Sequence, residues 1–215
     1  MRYEFLTDTY RTEIQKVVSV WAMFDDEDLA RRPHPTDTRG RSLLEHMVHQ
    51  SVSENFWFAT MLGIAVTQTP LPDPETRLAF MRCYIEYANQ RFDALLERDD
   101  TWWNQTVPFF EVSRSRAWIM TRRIAHTAHH RGQQMGLLRT LNRDAHSNYG
   151  PTADTGGLMQ RHAPVISAYR DLKTLLREES AGRVKTPLPG PGDQSPPNVQ
   201  TADPPRTSRW RAAWR

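Results

Sequence analysis

Apolar side chains recur at helical spacing through four long stretches of this 215-residue chain, separated by breaks rich in proline and glycine. Strand signals are scarce, so the chain has few ways to bury those stripes except by packing helix on helix. Phe5 to Met23 carries Ile14, Val17, Val18, Trp21 and Ala22 with this period, and RRPHPTDTRG ends it. Ser42 and Glu45 form a capping box ahead of LLEHMVHQSVSENFWFATML, which Gly63 closes. Leu44, Val48, Val52 and Phe56 recur every four residues there and read as the buried face. Asp73 as cap and Pro74 as first residue predict a third helix to about Arg98. DDTWWNQTVPFFEV is aromatic and irregular, with Val107–Val112 a short extended piece. A fourth helix is expected over about Ser113–Leu141 and a last one over about Leu158–Glu179. The expectation is all-α: an antiparallel four-helix bundle with an additional C-terminal helix and a disordered tail. Residues 1–180 form the bundle domain in this reading, and 181–215 form the tail.

The charge is unevenly spread. Residues 181–215 hold six basic and two acidic side chains, so this segment carries +4 of a chain whose net charge is +3, leaving about −1 for residues 1–180. The same segment holds seven of the fifteen prolines, and such a composition buries too little apolar surface to offset its ordering entropy. The terminal RWRAAWR could touch an anionic surface, though a solvated terminus is the plainer reading. A nearly neutral body argues against nucleic-acid binding, which depends on clustered Lys and Arg. The single cysteine, Cys83, permits no internal disulfide, and no apolar run resembles a signal peptide or a membrane span. A cytoplasmic protein with no membrane partner is the expectation.

His126 and His130 lie four residues apart in the longest predicted helix, one turn apart on one face. They share a stripe with Ile119, Gln133, Leu137 and Leu141, so they interrupt a face that should meet the core. A buried imidazole needs partners for its nitrogens, and a metal ion is one solution. Core histidines bonded to backbone or to Glu54 are the plainer alternative. The second helix offers His46 and His49, either of which would complete three imidazole ligands with an open position, a catalytic arrangement. His129 projects away from that direction. Gly132, costly inside a helix, reads as allowing close approach of a neighbouring helix. Arg122, Arg123 and Arg131 read as a solvated face. Met47, Met61, Met81 and Met135 read as core fillers, Trp102 and Trp103 as packing over the bundle end, and Cys83 as a small buried hydrophobe.

The segment AHTAHHRGQQMGLLRTL resembles the C-terminal signature of the DinB/YfiT-like metal-binding four-helix bundles, His-x-x-x-His followed by Arg-Gly-Gln. His126, His130, Arg131, Gly132 and Gln133 match it. In that family the helix-two ligand precedes an acidic residue and then an aromatic, and HMVHQSVSENFWF is similar, with His49, Glu54 and Trp57 in those places. The resemblance spans about residues 5–180. It implies a metal site of His49, His126 and His130, with His46, His129 and Glu54 as alternative ligands or neighbours of the ligands. It also implies a divalent ion, with zinc, nickel, copper, iron and manganese not told apart.

Members of the family include S-transferases that use low-molecular-weight thiols and a thiol-dependent isomerase. The resemblance therefore implies metal-dependent S-transfer, or a related hydrolysis or isomerisation, on a small-molecule substrate. Trp57, Arg131, Gln133, Tyr149 and Asp154 are its candidate substrate contacts. A homodimer is expected, because such bundles pair through an exposed apolar helix face. The competing reading is a non-enzymatic metal-binding module for stress response or interaction.

Overall fold

The structure, a computed structural model, describes residues 2–157 and 162–191. Four long helices form the bundle: α1 (Glu4–Met23), α2 (Leu43–Trp57), α3 (Arg77–Leu96) and α5 (Arg116–Thr140). Helix α1 packs on α3 and α5, and α2 packs on α5 and α3. Val17, Trp21, Phe24, Met47, Phe58, Phe80, Ile119 and Leu138 meet in the core with almost no exposed surface. The all-α bundle read from helical periodicity is the fold observed. No helix among the described residues is long and apolar enough to cross a membrane.

Local chemistry explains the helix ends. The Ser42 hydroxyl accepts from Glu45 N while the Glu45 carboxylate accepts from Ser42 N, so two orphan donors of α2 are satisfied reciprocally. Beyond Trp57 the helix widens into a π-helical turn, Phe58–Leu62, and Gly63 stops it at φ 70°. Helix α3 is capped by Thr76, which accepts from Ala79 N, and not by Asp73. The irregular aromatic segment resolves into a short helix α4 (Asp100–Asn104) and an antiparallel hairpin of β1 (Thr106–Phe109) and β2 (Val112–Ser115). Trp103 is buried at this end of the bundle against Tyr3.

The last helix is shorter than expected. Helix α6 spans Leu172–Ser180; of the expected span, residues 158–161 lie outside the described residues and 162–171 are not helical. Pro164 lacks the donor a helix needs, and Ile166 bonds the 147 region instead: Ser147 N donates to Ile166 O, and Ile166 N to Ser147 Oγ. Residues 183–186 then lie against the body. Arg183 Nη2 donates to Ala22 O at 2.8 Å, Lys185 Nζ to Met23 O at 3.5 Å, and Arg183 pairs with Asp25. These cations meet the carbonyl end of α1, where the helix dipole favours positive charge. The remainder of the basic tail, 192–215, lies outside the described residues.

Three sequence expectations are reversed by packing. The stripe Leu44, Val48, Val52 and Phe56 is not the buried face of α2: Leu44 and Val48 are half-buried, Val52 is 42% exposed and Phe56 47%. The buried face is Leu43, His46, Met47, Gln50, Glu54 and Trp57. On α5, Arg123 and Arg131 are not a solvated face; each is only 1% exposed. Arg122 is exposed, as the solvated reading has it. Gly132 brings no helix close either, because an added Cβ there would meet nothing within 4 Å.

Candidate metal centre

Helices α2 and α5 bring three imidazoles together. One ring nitrogen from each of His49, His126 and His130 lies within 4.8 Å of the others. His126 Nε2 and His130 Nε2 face each other at 3.3 Å. That separation is close to the edge of a tetrahedron with metal–nitrogen bonds of about 2.0–2.1 Å. The ring centroids are 4.5 Å apart for His49–His130 and for His126–His130, and 5.3 Å apart for His49–His126.

Each ring has a distinct support. His130 Nδ1 donates to Gln133 Oε1 at 2.9 Å, which leaves the lone pair on Nε2 directed at the cluster. Trp57 stacks on His126 with 28° between planes and centroids 5.7 Å apart. The Arg123 guanidinium lies over the Trp57 ring, while Phe109 and Phe110 at the hairpin tip meet Trp57 edge-on. The hairpin thus forms an aromatic wall behind His126.

All of these histidines are neutral at pH 7. Burial, with the nearby Arg123 and His130, lowers His126 to about 3. Burial, with His49, lowers His130 to about 4. Burial, with Arg41 and Arg123, also lowers His49. Neutral imidazole is the metal-binding form. His126 Nδ1 is moreover buried without a hydrogen-bond partner. Three neutral imidazoles with converging ring nitrogens, one with its tautomer set by an amide, fit a divalent cation.

The other sequence candidates lie in other surroundings. His46 is buried beside His130, with centroids 5.6 Å apart and Nδ1 unpartnered, but it lies outside the converging set. His129 is exposed. Glu54 lies outside the converging set, at the centre of a buried polar network: Tyr10 and Tyr84 hydroxyls donate to it at 2.7 and 2.8 Å, and Arg91 Nη1 at 3.3 Å. Arg131 pairs with Glu13 on the side of α5 that faces α1, under the Tyr149 ring. Asp154 holds Arg139 and the Ala145 N–H. Among the described residues, Arg131, Tyr149 and Asp154 share no hydrogen bond or ring contact with the histidines.

Sequence reasoning missed the roles of Arg123, Gln50 and Gln134. Arg123 bonds Ser53 and Thr127 inside the bundle, and Gln134 Nε2 donates to Gln50 Oε1 at 2.8 Å between α5 and α2. A signal existed for Arg123, since it lies three residues before His126 and four before Thr127 on the inward side of the helix.

The sequence profile of the DinB family matches residues 7–155. The chain belongs to the DinB family. A DinB-like protein from Bacillus cereus ATCC 10987, known from a crystal structure, is similar in fold, with a TM-score of 0.57 and 18% identity. The match covers 66% of this chain and 93% of that one. No curated protein matches the chain. The family match ends before α6 and the arm that returns to α1, so those features lie outside the matched residues.

Proposed function

We propose that this DinB-family chain is a metal-dependent S-transferase, with His49, His126 and His130 holding one divalent ion and a low-molecular-weight thiol as co-substrate. The convergence of three neutral imidazoles within 4.8 Å is the observation that carries this reading. A bound ion would supply Lewis acidity, lowering the pKa of a thiol at the open side of the site. The chain's own residues do the positioning. Gln133 fixes the His130 tautomer, Trp57 stacks on the plane of His126, and burial, with Arg123 adding to it, disfavours protonation of His126 and His49. Trp57 and the edge of Phe109 give that flank an apolar lining. In the transfer, the thiol sulfur forms a bond to an electrophilic carbon as the leaving group departs with its bonding pair, and the thiol proton passes to solvent. A reducing cytoplasm suits a chain with one cysteine and a thiol co-substrate.

The test joins elemental analysis with a transfer assay. Alanine at 49, 126 or 130 should each remove most of the bound metal, and alanine at 129 should not. Metal-loaded protein should accelerate reaction of a thiol with a chlorinated arene. Equal metal loss from all four variants, or no acceleration over free metal across several thiols, refutes the reading.

A further inference from the structure

The exposed stripe of α2 borders the same histidine that closes the metal site. Leu44, Val48, Val52 and Phe56 line a groove of about 570 Å³, together with His49, Ser53 and the exposed Glu75. That volume falls within the range of small-molecule sites, which are mostly apolar with a few placed polar groups. Glu45, also in the lining, is already occupied by Ser42 N and Arg32. No cationic side chain lines the groove. On the helical wheel His49 stands between this stripe and the inward-facing His46, so its ring borders both the groove and the histidine site.

We infer that this groove holds the apolar body of the electrophilic substrate, an uncharged aryl or branched-alkyl molecule, with its reactive carbon at the His49 edge. The inference rests on the transferase reading above and names its substrate class. Two features point to this occupant. The groove is continuous with the histidine site through His49, and the opposite flank of the site is also apolar, built from Trp57, Phe109 and Phe110. Leu44 and Val48 pack in part against the core, whereas Val52 and Phe56 remain 42% and 47% exposed.

The probe for the experiment is N-phenyl-1-naphthylamine, an uncharged diaryl fluorophore, titrated into the full chain with and without bound metal. One saturable site per chain is expected. Val52→Asp and Phe56→Ser, both at exposed positions, should each weaken the probe about tenfold or more, with far-UV circular dichroism and metal content unchanged. Cobalt at the histidines should quench the bound probe. Absence of saturable binding, unchanged affinity in both variants, or no quenching by bound cobalt overturns the inference. So does a wild-type dimer that excludes the probe and that Val52→Asp converts to monomer, because the groove is then the contact between two copies. A protein that binds the probe as expected but accelerates no thiol transfer keeps the groove and loses the transferase. One that transfers thiols yet fails the probe tests does the reverse.

Discussion

Glu54→Gln is the substitution whose cost the structure defines best. The carboxylate is fully buried and accepts from Tyr10, Tyr84 and Arg91, with Arg123 Nε 3.9 Å away. Arg91 and Arg123 are each 1% exposed, and their remaining hydrogen-bond partners are neutral: Asn55 for Arg91, Ser53 and Thr127 for Arg123. The isosteric amide therefore keeps the volume but leaves two buried guanidiniums with no counter-charge. Breaking a buried pair from one side costs about 3–5 kcal/mol. With a urea m-value of about 2 kcal/mol per molar, the unfolding midpoint should fall by about 1.5–2.5 M. Equilibrium unfolding followed by circular dichroism measures it. Arg91→Met added to Glu54→Gln removes one stranded cation and should recover a large part of the loss. A midpoint shift below about 0.5 M, or a double variant less stable than the single, would show that Glu54 is not the charge that holds this network.

Three shorter predictions follow from the same geometry. Gln133→Ala frees the His130 ring and should weaken metal binding about 10- to 100-fold in a chelator competition, whereas Gln133→Glu, which keeps the acceptor, should not; equal loss from both variants would remove Gln133 as the orienting group. Burial holds His46 and His130 near 4 and His126 near 3, below the unfolded value of about 6.5, so the unfolded chain takes up protons that the folded one refuses. Metal-free protein should thus lose stability as pH falls from about 6.5 towards 4, and a flat urea midpoint across that window would contradict the neutral cluster. Burial also lowers Lys185 to about 8, so limiting acetic anhydride at pH 8 should modify Lys185 ahead of Lys16 and Lys173 by mass spectrometry; the opposite order would place its amine elsewhere.

Much of this molecule is written in short-range patterns. The Ser42–Glu45 box and Gly63 mark the start and end of the α2 segment because capping depends on residues three or four apart. The four-residue spacing of His126 and His130 fixes their shared face for the same reason, and the family's motif added His49 from α2. The start of the last helix at Leu172 is likewise set locally, by Asp171, whose carboxylate accepts from Thr174 N.

Which face of α2 turns inward was not legible, because periodicity identifies an apolar stripe without identifying what the core needs. Here the core contains Arg91, Arg123, Tyr10 and Tyr84, groups from three other helices that require a common anion, and Glu54 supplies it. Rotating α2 to bury Val52 and Phe56 would carry Glu54 towards solvent and strand two guanidiniums. The sequence by itself determined a helical bundle with paired histidines on its longest helix, since caps, breaks and the 3.6-residue period act within one element. Only the tertiary structure decided that α2 turns Gln50 and Glu54 inward beside Leu43 and Met47, and that an apolar groove lies open beside His49. Buried charge is satisfied across helices, and no single helix records that requirement.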